Sequence, residues 1–350
     1  IPNMQVVSNP LTYKVRKSVA EKCGLNLEGL EKKAQKITDL TSCKEYMDML
    51  TSEMAKAKAN CGDLYVTNPS TNPAFRNVYE EIIGGVGIRK DGTSNEVVNI
   101  KDTDEFKYGV DKTREWFEKG YIRNDIASKG NALTSTDEQN RHVFVQTTWK
   151  PGQEPSDAKD AGEDVVYSRI ENPYVGRTNP IATMLAVGQN SKHPEEAVKF
   201  IYMLNSNKDL YNLLVWGIEG TDYTKNSDGT VKKIENSGYD EAYDNGWRFG
   251  NQFNSFVLEG QQPTVWEETE EMNDNAIKSP AMGFVPNTES ITTEIANITN
   301  VNSEYKAKME FGTSPRSEYW DEYMQKLKTA GIDKVRDEIQ KQYDEFLKTK

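Results

Sequence analysis

The chain has 350 residues and a formal net charge of −12 at pH 7, with an isoelectric point near 5.0. This length is enough for two domains that each bury a core of their own. No run of about 18 apolar residues is present, so the sequence predicts no transmembrane helix. The acidic composition argues against nucleic-acid binding, because contact with a phosphate backbone requires a basic surface.

The three cysteines, Cys23, Cys43 and Cys61, all lie in the first fifth of the chain. A disulfide between Cys43 and Cys61 stays open, but the sequence favours reduced, buried thiols. No C-x-x-C motif and no Cys/His ligand spacing occurs, so we expect neither a zinc site nor another cofactor. Residues 226–230 partly imitate a calcium loop, but they lack its closing glutamate, and a hairpin turn is the favoured interpretation.

Hydrophobic periodicity and turn residues define the other elements after a first extended segment at 1–10. In chain order they are a strand at 11–15, helices at 18–23 and 38–58, a strand at 64–66, a helix at 104–119, strands at 143–149, 164–170 and 181–188, a helix-like run at 244–258 and a helix at 333–348. Because helices and strands alternate, this pattern favours α/β layers around a mostly parallel sheet.

Residues 193–224 predict a pair of packed helices followed by a glycine turn. Pro194 and the two acids after it begin the first helix, since proline suits its first position and acids suit the positive end of its dipole. The second helix ends at Gly217, and the turn after it carries Glu219. The predicted apolar stripes of the two helices consist of Ala197, Phe200, Ile201 and Leu204, and of Leu210, Leu213 and Leu214.

Several separated motifs together resemble one known family. They are Tyr13-x-x-Arg16-Lys17, residues 115–122, Trp149-Lys150-Pro151-Gly152, the G-I-E-G-x-x-Y turn at 217–223, Gly283-Phe284-Val285-Pro286 and residues 328–333. This set, in this order, resembles the family 1 extracellular solute-binding proteins of ABC importers, and most closely a lipoprotein subfamily of Gram-positive bacteria. The resemblance implies a type II periplasmic-binding-protein-like α/β fold, in which two lobes joined by a hinge close over a ligand.

The resemblance also implies that this chain is a fragment, with further residues before Ile1 in the parent protein. The start of the chain, without a signal peptide or a lipidation cysteine, is interpreted as a cut. One α/β lobe would then comprise residues 1–175 plus 300–350, and residues 176–299 would be the remaining part of the other, N-terminal lobe.

The function implied by the resemblance is capture of an oligosaccharide and its delivery to the permease subunits of an ABC transporter. The protein would be monomeric, extracellular and non-enzymatic, with its parent lipid-anchored to the outer face of the plasma membrane. The subfamily's ligands include acidic sugars such as aldouronates, for which Arg177 and Arg248 are candidate partners. Two alternatives stay open: a peptide or amino-acid ligand, and a glycoside hydrolase that uses Glu219 and Glu267 as acid and base.

Carbohydrate binding requires flat aromatic faces for the C–H side of a sugar, and amides or carboxylates for its hydroxyls. The expected ligand-binding residues are Gln5, Asn9, Asn68, Asn72, Phe75, Trp149, Tyr174, Arg177, Asn179, Glu219, Trp247 and Asn251. Trp149 is the first candidate, because it ends a predicted strand directly before a proline-glycine break. Structural roles compete throughout: Gln5 and Asn9 suit backbone pairing, and Glu219 suits pinning its own turn.

Overall fold

The computed structural model describes residues 1–68, 73–129, 136–239 and 246–350. Its strands are β1 (Leu11–Arg16), β2 (Tyr65–Thr67), β3 (Tyr79–Ile83), β4 (Val86–Arg89), β5 (Val98–Asn99), β6 (His142–Thr148), β7 (Val165–Arg169), β8 (Tyr174–Val175), β9 (Tyr223–Lys225), β10 (Val231–Lys233) and β11 (Ile277–Lys278). Its helices are α1 (Lys17–Cys23), α2 (Leu27–Ala34), α3 (Leu40–Asn60), α4 (Pro73–Arg76), α5 (Asp104–Glu118), α6 (Ile126–Lys129), α7 (Thr136–Gln139), α8 (Glu154–Ala161), α9 (Pro194–Ser206), α10 (Lys208–Trp216), α11 (Val265–Asn275), α12 (Thr292–Phe311), α13 (Trp320–Ala330) and α14 (Ile332–Leu347).

The chain forms two units, which we call the smaller and the larger unit. The smaller unit comprises 1–9, 150–157 and 173–278, and the larger unit comprises 10–149, 158–172 and 279–350. These bounds differ from those of the two predicted lobes. A segment belongs to the unit with which it makes most of its contacts, and the hydrophobic periodicity of the sequence does not reveal those contacts. The predicted division into lobes stays a prediction.

A four-stranded sheet with the order β2-β6-β1-β7 organises the larger unit. β1 is antiparallel to both neighbours, with Tyr13 opposite Gln146 on β6 and opposite Ser168 on β7. β2 pairs with β6 in parallel. The expectation of a mostly parallel sheet is therefore wrong for this sheet, because β1 is antiparallel to both of its neighbours. Antiparallel neighbours do not require the helical crossover that parallel strands need.

Two clusters of buried side chains fill the larger unit. The first packs the sheet against α1–α3 and includes Tyr13, Tyr46 and Phe144. There the indole of Trp116 donates a hydrogen bond of 2.8 Å to the hydroxyl of Thr51. The second cluster joins β4, α5 and the last three helices. The predicted C-terminal helix is confirmed as α14, whose buried face consists of Ile332, Val335, Ile339 and Tyr343.

The cysteines differ from the prediction. Cys23, at the end of α1, and Cys61, directly after α3, form a disulfide with their Cα atoms 6.8 Å apart. Reduced thiols are therefore wrong for these two residues, and the bridge is not the Cys43–Cys61 pair. Cys43 is buried and takes no part in the disulfide, and burial raises the pKa of its thiol to about 12. The spacing of the cysteines along the sequence does not predict this disulfide, because it is the packing of α1 against α3 that brings Cys23 and Cys61 together.

The smaller unit confirms the helix pair, as α9 and α10, and the hairpin turn, which joins antiparallel β9 and β10. A small buried cluster contains Tyr211, Val215, Trp216, Tyr223 and Val231. The apolar stripes are wrong in part, because Phe200 and Leu213 are 48% and 54% exposed.

Two other predicted elements of the smaller unit are wrong. Residues 181–188 contain no strand, and Met184 makes an isolated bridge with Pro2. In the described part of 244–258, only short 3₁₀ turns occur, at 246–248 and 252–254. The physical reason is side-chain competition: the Asn251 carboxamide accepts a hydrogen bond from Phe253 N and so closes a local turn in place of a helix.

Candidate functional site

At one end of its strands, the four-stranded sheet brings distant parts of the larger unit together. We call this end of the sheet, where β6 and β7 end and β1 begins, the sheet edge. Parallel β2 and β6 both run toward it, and β1 begins there while β7 ends there, since β1 is antiparallel to β6 and β7. The side chains at the ends of β6 and β7 are Trp149 and Arg169, whereas Asn68 follows β2, whose last residue lies opposite Phe144 of β6. Ends of neighbouring strands are a common place for ligand sites in α/β proteins.

Trp149 is half-buried and directly follows β6. Its backbone N–H donates to the Pro10 carbonyl at 3.0 Å. The guanidinium carbon of Arg169 lies 5.4 Å from the centroid of its ring, which is the geometry of a cation–π contact. Arg169 is in turn held by Glu31, which accepts from its side-chain Nε at 2.8 Å and from its backbone N–H at 3.0 Å.

Two of the other candidates, Asn68 and Phe75, lie among the described residues of the larger unit. Asn68 is 2% exposed and directly follows β2. Asn72 lies outside the described residues. Phe75 is half-buried; it packs on Phe106, with ring centroids 5.1 Å apart, and so lies against the second buried cluster. Of the two described residues, Asn68 therefore directly follows a sheet strand, whereas Phe75 lies in α4.

Glu171 fixes the chain directly behind the sheet edge. This buried carboxylate accepts hydrogen bonds from Leu11 N at 3.1 Å, from Arg76 Nε at 3.0 Å and from Lys90 Nζ at 3.4 Å. Burial by itself would raise the pKa of Glu171, but the charges of Lys90 and Arg76 outweigh it, so the pKa lies below its usual value. Glu171 thus connects the start of β1 to α4 and β4.

The first extended segment of the smaller unit is held by two asparagines. The Asn273 carboxamide accepts from Val7 N at 2.9 Å and donates to the Gln5 carbonyl at 3.0 Å. The Asn179 carboxamide donates to the Val7 carbonyl at 2.8 Å. Asn179 therefore has a structural partner, Gln5 is 6% exposed, and Asn9 is exposed.

Asp222, rather than Glu219, pins the glycine turn after α10. Its Oδ2 accepts from Ile218 N at 2.8 Å. The carboxylate of Glu219 is about half exposed, at 52%, and pairs with Lys225 Nζ at 2.8 Å. The sequence-based prediction for this turn names only Glu219 and omits Asp222, which lies three residues later.

The remaining candidates are spread over the smaller unit. Tyr174 lies in β8, which pairs in parallel with β11, and Arg177 is half-buried just after it. The ring of Trp247 lies 5.1 Å from the guanidinium carbon of Arg248. Asn251 donates to the Asn205 carbonyl at 3.4 Å. These contacts lie within the smaller unit. The ligand-binding role of all twelve candidates stays a prediction.

Gly152, in the loop after Trp149, is packed closely against α11. Its φ is +75°, and an added Cβ would lie 2.4 Å from Cγ2 of Val265, which is 2% exposed. The Gly152 carbonyl also accepts from Gln261 Nε2 at 2.7 Å. This loop therefore leaves no room for a side chain at Gly152.

Replacing Gly152 with alanine is expected to lower the free energy of unfolding by about 2–3 kcal/mol, because a left-handed conformation and a collision add together. Gly220→Ala is the matched control, since Gly220 has a φ of +79° and nothing within 4 Å of an added Cβ. It should lose only about 1 kcal/mol. Urea denaturation measures both variants, and equal losses would show that the contact with Val265 does not matter.

Neither a cluster of metal-binding side chains nor a helix able to cross a membrane occurs among the described residues. There, no group of three or more His, Cys, Asp and Glu side chains is arranged to hold a metal ion. Across the same residues, no helix combines the length and the apolar character required to cross a bilayer.

The chain resembles known proteins in sequence and in structure. A family model described as "Domain of unknown function (DUF3502)" matches residues 280–348, which contain the two C-terminal motifs of the sequence. A "Carbohydrate ABC transporter substrate-binding protein" of Streptococcus pneumoniae serotype 4 (strain ATCC BAA-334 / TIGR4) is 30% identical over 275 residues. That alignment covers 74% of this chain, and the chain spans only 53% of the relative.

Solved structures show the fold. The N-glycan transport solute binding protein (NgtS) from S. pneumoniae superposes with a TM-score of 0.81 at 23% identity, over 99% of this chain and 75% of NgtS. Its complex with Man1GlcNAc gives a TM-score of 0.75 at 25% identity, over 99% of this chain and 76% of NgtS. The predicted type II periplasmic-binding-protein-like α/β fold is thereby confirmed. The chain is similar in sequence to a carbohydrate ABC transporter substrate-binding protein and shares the fold of a solute-binding protein, in line with the family that its motifs resemble.

Proposed function

We propose that this chain binds an oligosaccharide and serves as the substrate-binding component of a carbohydrate ABC importer. The observation that carries the proposal is the identity of 30% over 275 residues to the pneumococcal carbohydrate ABC transporter substrate-binding protein. The NgtS complex, at 25% identity, makes Man1GlcNAc the first ligand to test. The ABC permease subunits are the proposed membrane partner, and the chain acts as a monomer.

The chemistry at the sheet edge suits sugar binding without catalysis. Trp149 offers a partly exposed aromatic surface at the end of β6. A site of this type needs stacking and hydrogen bonds, but no proton transfer. Glu219, the acid of the hydrolase alternative, forms an ion pair with Lys225. We therefore propose a non-enzymatic binding protein.

We further propose an extracellular location, with the parent protein lipid-anchored to the outer face of the plasma membrane. The similarity to a substrate-binding protein of an ABC transporter supports this location, because solute-binding proteins of importers meet their ligands outside the cell. The disulfide between Cys23 and Cys61 also supports it, since disulfides persist in oxidising environments.

A thermal unfolding assay with three ligand classes tests the proposal. Man1GlcNAc should stabilise the chain by about 2.7 kcal/mol at a concentration of 100 Kd. Uronic-acid oligosaccharides test the acidic-sugar expectation, and short peptides test the alternative binding function. Stabilisation by peptides alone would contradict the proposal. Release of product from chromogenic glycosides, abolished by Glu219→Gln, would instead support a hydrolase.

A further inference from the structure

We infer that Arg169, held by Glu31, is a positioning residue that orients Trp149 for stacking against a sugar ring. The inference rests on the proposed function and adds two residues to the site. Sequence patterns link none of the three, because Glu31 and Arg169 are 138 positions apart. The sheet and α2 bring them together, since α2 carries Glu31 and β7 ends at Arg169.

The geometry fixes Arg169 before any ligand binds. Glu31 accepts from the backbone N–H and from the side chain of the same arginine, so both ends of that residue are restrained. The side chains of Arg169 and Glu31 are only 30% and 21% exposed, which reduces solvent screening of their ion pair. The guanidinium therefore lies at a defined place, 5.4 Å from the centre of the Trp149 ring.

A guanidinium held over one face of an indole restricts the rotation of that ring. Trp149 is also restrained through its backbone, since its N–H donates to the Pro10 carbonyl. A ring that is already oriented loses little rotational freedom when a ligand stacks on it, so less of the interaction energy is spent on ordering. Arg169 thus improves affinity without having to contact the ligand.

The larger unit contains a matched arrangement that serves as the control. Arg316 lies with its guanidinium carbon 5.5 Å from the ring centroid of Trp320, and Asp111 accepts from Arg316 at 2.7 and 2.8 Å. Trp320 is only 8% exposed and packs in the second buried cluster. The same acid–arginine–tryptophan chemistry therefore occurs there around a core residue.

The test measures affinity for Man1GlcNAc by calorimetry in Arg169→Ala, Glu31→Gln and Arg316→Ala. Arg169→Ala should weaken binding about three- to tenfold, Glu31→Gln should weaken it less, and Arg316→Ala should leave it unchanged. In a Trp149→Ala background, Arg169→Ala should cause no further loss. A loss that persists in that background would show direct ligand contact, and unchanged affinity in the single variant would show no role; either result overturns the inference.

A second readout does not require binding. In protein labelled with 5-fluorotryptophan, the ¹⁹F resonance of Trp149, assigned with Trp149→Phe, should broaden or shift in Arg169→Ala and Glu31→Gln but not in Arg316→Ala. An unchanged resonance would overturn the inference. If the wild-type chain binds no oligosaccharide while the resonance responds as expected, the proposed function fails and the positioning of Trp149 stands.

Discussion

Glu171→Gln is expected to lower the free energy of unfolding by about 3 kcal/mol at pH 7. Glutamine keeps the size of the side chain but removes the negative charge that faces Lys90 and Arg76. Lys90 is well buried, with 16% of its side chain exposed, whereas Arg76 is 42% exposed. Most of the loss should therefore come from Lys90, because solvent screens the charge of Arg76.

The loss should depend on pH, with a sign that the pKa shift determines. The pKa of Glu171 is lower in the folded chain than its usual value, because Lys90 and Arg76 outweigh the effect of burial. A carboxyl group with a depressed pKa stabilises the fold above its unfolded pKa, and this contribution disappears as the pH falls through the folded pKa. The difference between the wild type and Glu171→Gln should therefore shrink from pH 7 to pH 3.

Urea denaturation at the two pH values measures this effect, and Asp164→Asn is its control. Asp164 is 75% exposed and pairs with Lys17 at 3.4 Å, so its replacement should cost less than about 1 kcal/mol. A loss for Glu171→Gln no larger than that of the control would show that the buried carboxylate does not stabilise the larger unit.

Trp149→Ala is expected to weaken binding of Man1GlcNAc by about 2 kcal/mol, or roughly thirtyfold. The physical reason is the loss of a large aromatic surface at the sheet edge, where a sugar ring would otherwise exclude water from both partners. Trp149→Phe keeps an aromatic ring at this position and should lose much less.

Calorimetry measures both variants, together with a thermal unfolding curve for each. The unfolding curves matter because Trp149 is half-buried and its removal also takes away packing atoms. A stably folded Trp149→Ala variant with wild-type affinity would exclude Trp149 from the ligand site.

Local patterns were sufficient for much of the fold. Strands β1, β6 and β7 and helix α14 were predicted because alternation or helical spacing is present in their own residues. The helix expected at 244–258 does not form, because the Asn251 side chain accepts a hydrogen bond from the Phe253 backbone N–H. The spacing of apolar residues in the sequence does not reveal this competition. The antiparallel pairing of β1 also escaped prediction, since strand direction depends on partners far along the chain.

In the candidate site, too, features that depend on neighbouring residues are predictable from the sequence, and contacts between distant residues are not. The position of Trp149 at a predicted strand end before Pro151-Gly152 is visible in the sequence, and the structure places this residue at the sheet edge, directly after β6. The same criterion would have found Arg169, which ends β7, but nothing local points to its partner Glu31. Glu171 was missed as well, because its partners Leu11, Arg76 and Lys90 are 81 to 160 positions away.

The most direct measurement is a crystal structure of this chain with Man1GlcNAc. We expect one sugar ring to stack against the indole of Trp149 at the sheet edge. Arg169 should still contact the indole and should still be held by Glu31. A sugar bound away from the sheet edge, with Trp149 making no contact to it, would contradict the proposed site.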